Sequence, residues 1–365
     1  MSWKTLERYF LEIIQERRKG VWPNIVQALF FVFSQIYRFI IACRNFLYDY
    51  RLLPIYYPPV PMVISVGNLT VGGSGKTPVT MLLLETLKSK GKIAVLSRGY
   101  KSPAEHFGEP VILCQEQGPQ YPASYCGDEP YMLALNYPHI SIYVGANRYA
   151  SAKLAAKYGA NLLILDDGMQ HRRLHRDVNI VVLDGCSALG NHHLLPRGLL
   201  REPPSSLKRA DLLVLNHIRD EQHFDEVLLS LRAYTQAPAI GVAPTFAGIF
   251  STSGEKIESI HQMKVGIFCG IGGPQYFRQM VASCGAEVVA EEISSDHQIP
   301  EPTQLAGFAD QCRLLGAKML ICTEKDRVKL RETFSCSLPI AWIKMKLDIL
   351  VGKELWQQFT ENHRL

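Results

Sequence analysis

Short apolar runs rich in β-branched residues alternate with longer amphipathic stretches from position 62 onward. This alternation is typical of an α/β fold in which a mostly parallel sheet is flanked by helices. The predicted strands lie at 62–66, 92–96, 140–144, 161–165, 179–183 and 211–215. The predicted helices between them lie at 78–88, 128–135 and 146–157. A long loop is predicted at 185–204, and long loops of α/β enzymes usually carry function.

The pattern loosens near positions 243–264, where a second, smaller α/β domain is predicted to begin. Its predicted strands lie at 265–269, 319–322 and 340–343, with a helix at 276–283, and a last helix is predicted at 352–361. The predicted organisation has four parts. These are an N-terminal helical segment at 1–50, a main α/β domain at 51–245, the smaller domain at 246–345 and a C-terminal helical segment at 346–365.

The N-terminal segment contains an uncharged stretch from Gly20 to Tyr37, which Arg38 separates from further apolar residues. On a helical wheel its polar residues project into one arc about 100° wide, and most of the remaining surface is apolar. Basic residues flank the stretch at 17–19 and at Arg44, which suits anionic lipid headgroups. The segment therefore predicts a membrane-associated helix lying in the interface, with a membrane span and a buried core helix as alternatives.

Composition narrows the classes of function only slightly. The 365-residue chain is 47% hydrophobic and 20% charged, as ordinary globular proteins are. A net charge of +5 gives no reason to expect nucleic-acid binding. The nine cysteines are scattered without a CxxC pair, which indicates reduced thiols rather than a zinc site or a disulfide scaffold.

The clearest chemical motif follows the first predicted strand. It consists of Thr70, Val71, Gly72, Gly73, Ser74, Gly75, Lys76 and Thr77. In such a P-loop, glycines let successive backbone N–H groups surround a phosphate at the start of a helix. Lys76 is predicted to reach the outer phosphates of a nucleotide, and the Thr77 hydroxyl to bind Mg²⁺. Thr70 stands where the usual motif begins with glycine, but the strand–loop–helix context is right on both sides.

Two acidic motifs accompany the P-loop. Asp166 and Asp167 end an apolar strand, where P-loop proteins place a metal-orienting carboxylate, although a plain strand-end turn is the alternative. Asp128 and Glu129 precede a predicted helix, and capping of that helix is as good an explanation as a metal or base role. His297 taken alone is more often structural or on the surface than catalytic.

Basic residues crowd the predicted long loop and its surroundings. Arg148 opens a predicted helix, where arginines commonly pair with phosphate or with an acid. The others are Arg172, Arg173, Arg176, Arg197, Arg201 and Arg209. A pocket for an anionic substrate and a solvated basic face near a membrane are both compatible with this pattern.

Eight motifs run in one order across roughly residues 60–330. They are Val66-Gly67-Asn68-Leu69, the P-loop with Pro78, Ser97-Arg98-Gly99-Tyr100, Gly127-Asp128-Glu129-Pro130, Asp166-Asp167-Gly168-Met169-Gln170-His171, Leu195-Pro196-Arg197-Gly198 with Leu200-Arg201-Glu202-Pro203, Asp296-His297 and Thr323-Glu324-Lys325-Asp326. This combination resembles the bacterial lipid A 4′-kinase (tetraacyldisaccharide 4′-kinase) family. That family also carries an N-terminal membrane-associated helix, which agrees with the helix predicted above.

The resemblance implies an ATP- and Mg²⁺-dependent kinase. Its acceptor would be an acylated glucosamine disaccharide 1-phosphate (tetraacyldisaccharide 1-phosphate), phosphorylated on the 4′-hydroxyl to give the bisphosphorylated lipid IVA. The enzyme would work at the cytoplasmic face of the bacterial inner membrane, held there peripherally or by one N-terminal helix. Neither a nucleic acid nor an obligate protein partner is implied.

The resemblance also implies roles for single residues. Asp128 would be the catalytic base, supported by His297 from the second domain. Lys76, also counted among the catalytic residues, would hold ATP, and Arg148 would be a cation that acts in the transition state. The P-loop residues 70–77 would bind ATP. The metal and water shell would comprise Thr77, Glu129, Asp166, Asp167 and Gln170, and substrate contacts would come from Asn68, Arg98, His171, Arg197 and Arg201. Met169 and Leu199 depart from the family pattern without removing a charge.

Two functions of other classes remain open at this point. A membrane-recruited GTPase switch would need an Asn/Thr-Lys-x-Asp guanine motif, and Thr323-Glu324-Lys325-Asp326 has the wrong spacing. A non-catalytic nucleotide-binding scaffold would have no use for Asp128 and His297. GTP preference would favour the switch, and phosphorylation of a lipid disaccharide would exclude the scaffold.

Overall fold

The structure is a computed structural model that describes residues 9–362 except 11, 15, 89, 90, 116, 272, 295–297 and 331–333. The chain forms two compact units. The first comprises residues 1–92, 156–243 and 349–365, and the second comprises 93–155 and 244–348. The contacts therefore group 93–155 with 244–348, whereas the linear division drawn from sequence assigned 93–155 to the range 51–245.

The strands in chain order are β1 Met62–Gly67, β2 Ile93–Ser97, β3 Val111–Cys114, β4 Ser141–Val144, β5 Leu162–Asp166, β6 Val178–Asp184, β7 Leu212–Asn216, β8 Ala239–Ser251, β9 Lys256–Ile257, β10 Lys264–Cys269, β11 Glu287–Ile293, β12 Met319–Thr323 and β13 Ile340–Val351. The α-helices are α1 Val21–Asp49, α2 Lys76–Leu87, α3 Pro103–His106, α4 Ala123–Cys126, α5 Asp128–Asn136, α6 Arg148–Lys157, α7 Glu221–Leu231, α8 Pro274–Ser283, α9 Pro302–Leu314, α10 Glu324–Arg327 and α11 Lys353–Asn362. A 3₁₀ helix spans Pro204–Arg209.

The first unit is built on parallel strands with β1 at the centre. β1 pairs with β5 on one side and β6 on the other, and β7 and the start of β8 follow β6, all in parallel. Val66 on β1 is in register with Asp166 on β5. Since parallel strands present their carboxyl ends at one edge, the segments after β1 and β5 emerge side by side there.

The second unit contains two groups of strands. β2 pairs in parallel with β4, and β3 joins β4 antiparallel. In the other group β10 lies between β11 and β12, and β12 continues to β13, all in parallel. Buried apolar residues of these strands and of the helices packed on them form the core of this group, for example Phe268 and Leu320 on the strands.

The predicted mixed α/β fold with a mostly parallel sheet is confirmed. All six strands predicted before residue 216 occur within one or two residues of their predicted limits, because continuous apolar runs mark doubly covered parallel strands. The sequence pattern missed the strands β3, β8, β9 and β11 and, among the longer helices, α7 and α9. β11 was missed because Glu287, Glu291 and Glu292 interrupt its apolar residues, and such a partly exposed strand carries a weaker apolar signal.

Helix α1 is 29 residues long, and by length and composition it is apolar enough to cross a bilayer. Only 11% of its most apolar 18-residue window is buried, which argues against the buried core helix. The exposed apolar residues of α1 include Val21, Trp22, Ile25, Leu29, Phe31, Val32, Phe33, Ile36, Phe39, Ile40 and Phe46. This exposed apolar face is consistent with membrane association.

The C-terminal helix lies in the first unit. Helix α11 packs on α2, where the buried Trp356 donates its indole N–H to Thr86 at 3.1 Å, so the packing of the C-terminal helix is now known.

All nine cysteines are free, and only Cys43 and Cys186 are exposed. Burial raises the pKa of Cys126 and Cys269 to about 12, as expected for structural thiols.

Candidate functional site: the phosphate loop and its acidic turn

The phosphate loop runs from the end of β1 to the start of α2. Gly72 and Gly75 adopt φ values of 113° and 89°, which favour glycine. A Cβ atom on Gly75 would lie 2.1 Å from Nδ2 of Asn216, so a side chain at this position would displace Asn216. Asn216, at the end of β7, donates that same Nδ2 to the carbonyl of Ser74 at 3.2 Å. The loop conformation is therefore fixed by a neighbouring strand as well as by its own glycines.

Asn68 braces the loop from inside. Its side chain is fully buried, and Nδ2 donates to the carbonyl of Thr70 and to Oγ of Ser74, both at 2.8 Å. The resemblance implied a substrate contact for Asn68. In this structure the side chain holds the phosphate loop in shape, and the substrate contact stays a prediction.

A second segment pairs with the entry to the loop. The N–H of Val71 donates to the carbonyl of Leu199 at 2.8 Å, and the N–H of Arg201 donates to the carbonyl of Leu69 at 2.7 Å. Thr70 and Leu200 form an isolated antiparallel bridge between these hydrogen bonds. The long loop predicted at 185–204 thus supplies a short strand partner to the phosphate loop.

Lys76 and Asp167 connect the phosphate loop to the acidic turn after β5. Nζ of Lys76 lies 3.6 Å from Oδ1 of Asp167. Nη1 of Arg201 donates to both carboxylate oxygens of Asp167, at 2.8 and 3.0 Å. The same Nη1 reaches Oε1 of Gln170 at 3.4 Å. Asp167 takes a φ of 49°, an uncommon conformation for a residue with a side chain, and such conformations concentrate at functional sites.

The acidic turn, residues 166–171 after β5, is held in shape by contacts with Ser65, Asn68 and Arg176. A Cβ on Gly168 would lie 2.4 Å from Oγ of Ser65, and Gln170 donates Nε2 to the carbonyl of Asn68 at 2.9 Å. Nη1 of Arg176 donates to the carbonyls of Gly168 and His171 at 2.6 and 3.3 Å. Burial, and after it the neighbouring guanidinium groups, lower the pKa of Arg176 to about 10. The side chain of His171 itself is half-buried beside this turn.

The oxygen atoms near the loop fit a divalent cation of the magnesium type. Asp166 and Thr77 are both buried, and each offers an oxygen donor, the kind of ligand that Mg²⁺ prefers. Among the described residues no group of three or more His, Cys, Asp or Glu is placed to hold a metal by itself. Mg²⁺ usually binds one or two carboxylates together with substrate phosphates and water, so this sparse set suits it.

In the second unit, Asp128 and Glu129 begin helix α5 and face two lysines of the segment after β12. Lys325 Nζ lies 3.2 Å from Oε1 of Glu129 and 4.0 Å from Oδ2 of Asp128. Lys329 Nζ lies 3.8 Å from Oδ2 of Asp128 and 3.0 Å from Oδ1 of Asp326. The alternative of simple helix capping is therefore incomplete, because both carboxylates also join a mixed ion cluster.

Asp326 anchors this cluster. It is fully buried, and it accepts hydrogen bonds from the N–H of Gly270 and from the Thr323 hydroxyl. An aspartate that reads guanine must present its carboxylate to the base. These partners occupy Asp326, which weighs against the GTPase switch.

The remaining predicted site residues lie as follows. Arg148 is buried at the start of α6, and its Nη1 donates to the carbonyl of Gly145 at 2.6 Å. Arg98 is largely exposed, and its Nε donates to Oε1 of Glu105 at 2.7 Å. Arg197 pairs with Glu16 of the N-terminal segment at 2.7 Å. His297 and its neighbour Asp296 lie outside the described residues.

A family model described as tetraacyldisaccharide-1-P 4′-kinase (LpxK) matches residues 26–364 of the chain. The chain belongs to this family. A tetraacyldisaccharide 4′-kinase of Chlamydia pneumoniae is 37% identical over 324 residues, which cover 87% of this chain and 85% of the relative. A tetraacyldisaccharide 4′-kinase of Syntrophus aciditrophicus is 36% identical over 364 residues, which cover 92% and 95%.

A solved structure agrees with the sequence relatives. The crystal structure of the "apo" form of LpxK from Aquifex aeolicus in complex with ATP matches with a TM-score of 0.73 at 30% identity. The match covers 93% of this chain and 100% of that chain. The resemblance of the motifs to the LpxK family and the α/β fold that it implied are thereby confirmed.

Several residues that contact the candidate site residues in this structure were missed in the sequence. Asn216 and Lys329 belong to no predicted site, and Glu202 and Lys325 were noted only as parts of motifs. Lys325 and its partner Glu129 are 196 positions apart, so no local spacing connects them. The local signal that points to this cluster is a single aspartate, Asp326, with Lys325 before it and Lys329 three positions after it.

Proposed function

We propose that the chain transfers the γ-phosphoryl group of ATP to the 4′-hydroxyl of tetraacyldisaccharide 1-phosphate and so produces lipid IVA. Family membership supplies the reaction. The observation that supports the assignment in this chain is the joined set of Lys76, Asp167 and Arg201 at the phosphate loop. Phosphoryl transfer depends mainly on positioning and on neutralising charge, and this set provides both.

ATP binds with its phosphates in the loop at 70–75. Backbone N–H groups at the start of α2 face the phosphates. Lys76 moves away from Asp167 and neutralises the outer phosphate oxygens of ATP. Arg201 keeps Asp167 paired while Lys76 is engaged. A bound Mg²⁺ ion supplies further neutralisation of the phosphate oxygens, and Thr77 and Asp166 are the residues that would hold it.

Asp128 is proposed as the base. A sugar hydroxyl is a weak nucleophile, so a carboxylate within hydrogen-bond reach accelerates its attack. The hydroxyl proton passes to Asp128, the hydroxyl oxygen bonds to the γ-phosphorus, and the bond to the bridging oxygen breaks as ADP leaves. Lys325 and Lys329 lie within 4.0 Å of the carboxylate and orient it. The roles of His297 as a helper and of Arg148 as a cation rest on the family resemblance.

Helix α1 is proposed to lie in the membrane interface with its exposed apolar face in lipid. Tyr37, Arg44 and Asn45 contact the segment at 201–202, and Phe31 lies edge-on to His193 with 6.2 Å between ring centroids. A helix attached to its own unit along this length favours a flat orientation over a span. An acylated acceptor stays in the bilayer, so the enzyme meets it at the inner-membrane surface, on the cytoplasmic side where ATP is available.

The test uses the purified full chain with ATP, Mg²⁺ and tetraacyldisaccharide 1-phosphate, scored for the bisphosphorylated product. Asp128→Asn should lower turnover by about 10²-fold or more, with ATP binding retained. The exposed Asp310, which pairs with Arg313, gives the matched control Asp310→Asn with unchanged turnover. The proposal would be rejected if the parent chain formed no bisphosphorylated product. It would also be rejected if the chain hydrolysed GTP without an acceptor as fast as it uses ATP with the acceptor.

A further inference from the structure

Glu202 is a fully buried carboxylate adjacent to Arg201. Its Oε2 accepts hydrogen bonds from Arg209 at 2.7 Å and from Ser206 at 3.0 Å, both in the 3₁₀ helix that follows. Asn45 of helix α1 donates Nδ2 to the same oxygen at 2.9 Å. Arg44 of α1 lies 3.3 Å from Oε1. One carboxylate thus joins the long apolar helix to the segment that carries Arg201.

Helix α1 makes further polar contacts with the same region. The hydroxyl of Tyr37 donates to the backbone carbonyl of Arg201 at 2.9 Å. Arg172 donates to the carbonyl of Asn45 at 3.1 Å and to Oδ1 of Asp49 at 2.7 Å. These contacts come from one side of α1, and Asn45 of the polar arc that the sequence indicated is among the residues that make them.

The segment held by α1 is the one that shapes the phosphate loop. The backbone at 199–201 pairs with residues 69 and 71 at the entry to the loop. The guanidinium of Arg201 holds Asp167, which lies beside Lys76. A continuous set of short contacts therefore leads from α1 through Glu202 and Arg201 to the lysine of the P-loop.

We propose that Glu202 is a positioning residue that couples the seating of helix α1 to the geometry of the phosphate loop. Helix α1 then has two roles on opposite faces. Its apolar face meets lipid, and its polar face completes the ATP site. This inference rests on the proposed ATP site and is independent of the identity of the acceptor.

The charge of Glu202 matters for this role. Burial alone would raise the pKa of its carboxyl group. The Arg209 guanidinium, the Asn45 amide and the Arg44 guanidinium outweigh burial and hold the pKa below its ordinary value. A neutral side chain of the same shape would keep the hydrogen-bond acceptor and lose the attraction to both arginines.

The experiment compares the full chain with Glu202→Gln and with Tyr37→Phe, which removes one hydroxyl from α1. Hydrogen–deuterium exchange of the backbone at 69–76 is the first readout, because it needs no ligand. Binding of a fluorescent ATP analogue with Mg²⁺ is the second. The backbone amides at 69–76 should exchange faster in both variants than in the parent chain. Loss of one hydrogen bond or ion pair between α1 and the segment at 201–202 should weaken binding of the ATP analogue by about fivefold. Sedimentation with phosphatidylglycerol-containing vesicles should stay at the parent level.

Matched controls separate coupling from general damage. Glu226→Gln and Tyr158→Phe change exposed side chains of the same unit and should leave both readouts unchanged. Phe39→Ser, on the exposed apolar face, should weaken sedimentation with vesicles and leave exchange at 69–76 unchanged. If Tyr37→Phe and Glu202→Gln keep parent exchange at 69–76, the coupling is refuted. If exchange rises but the parent binds no ATP analogue, the coupling stands and the proposed function fails.

Discussion

Lys76 and Asp167 form an ion pair within the structure that ATP must rearrange. Replacing Lys76 by Met removes the cation that the outer phosphates need, so turnover should fall by about 10²-fold or more and the KM for ATP should rise. Asp167 keeps Arg201 as its partner, so the thermal midpoint should change little. Steady-state kinetics and thermal unfolding check both parts. A variant with parent KM and turnover would show that Lys76 does not bind phosphate.

Lys329 lies between Asp128 and the buried Asp326. In Lys329→Met the buried carboxylate loses its cation, so the free energy of unfolding should fall by about 3 kcal/mol. Turnover should fall by about tenfold with the KM for ATP unchanged, since Asp128 loses an orienting charge. Lys329→Arg keeps the charge and should recover part of both losses. Equal kinetics for Met and Arg at this position would show that the charge does not matter.

At the scale of elements, the β1–loop–α2 unit depends on the close approach of Gly75 to Asn216. Gly75→Ala places a methyl group against Asn216 and forces a left-handed φ on alanine. The free energy of unfolding should fall by about 2 kcal/mol or more. Gly73→Ala is the control, because a Cβ there meets nothing within 4 Å. Thermal or urea unfolding distinguishes them, and equal stability of the two variants would contradict this geometry.

Helix α1 was predicted from its polar arc and uncharged length. Deleting residues 1–45 should weaken sedimentation with vesicles, as a membrane helix requires. The structure adds a second expected loss, because the deletion also removes Tyr37, Arg44 and Asn45 from the Arg201–Glu202 segment. The truncated chain should therefore bind ATP more weakly and unfold at a lower temperature, which calorimetry can measure. Loss of sedimentation alone would mean that α1 is an anchor and nothing more.

Elements that follow from local pattern were predictable, and their long-range partners were not. The P-loop and the turn at Asp166 could be read from the sequence because each is a short motif after an apolar strand. The pairing of 199–201 with the loop entry depends on backbone hydrogen bonds between segments about 130 positions apart, which no periodicity records. The roles of Glu202 and Lys329 follow from such pairings and were therefore invisible.

At the scale of the whole molecule, the acid sensitivity of folding should reflect carboxylates whose pKa is lowered. Partners lower the pKa of Asp49, Asp184 and Glu202 despite burial. A lowered folded-state pKa means that the stabilisation is present above the unfolded value, 3.8 for Asp and 4.5 for Glu. It is then lost as pH falls through the folded-state pKa. The thermal midpoint should therefore drop between about pH 5 and pH 3.

Glu202→Gln tests the origin of that drop. The variant has no carboxyl group to protonate at this position, so its midpoint should fall less steeply below pH 5 than that of the parent chain. The slopes are compared, because the absolute stability of the variant is expected to be lower at neutral pH. Identical slopes would assign the acid sensitivity to other groups.

The grouping of the chain into units belongs to this largest scale as well. Residues 93–155 group with 244–348, and the last helix returns to α2 through Trp356 and Thr86. The sequence shows where strands alternate with helices, but grouping depends on which distant surfaces are buried together. Linear ranges drawn at changes in composition therefore divide such a chain only approximately.

Cys43 gives the N-terminal helix a natural attachment point for an optical reporter. It is one of two exposed thiols, and burial raises the pKa of the other, Cys186, which slows its reaction with maleimides near neutral pH. A polarity-sensitive dye on Cys43 would change colour as the helix enters lipid, while the native contacts of Tyr37 and Asn45 remain in place. Immersion and catalysis could then be followed in the same cuvette.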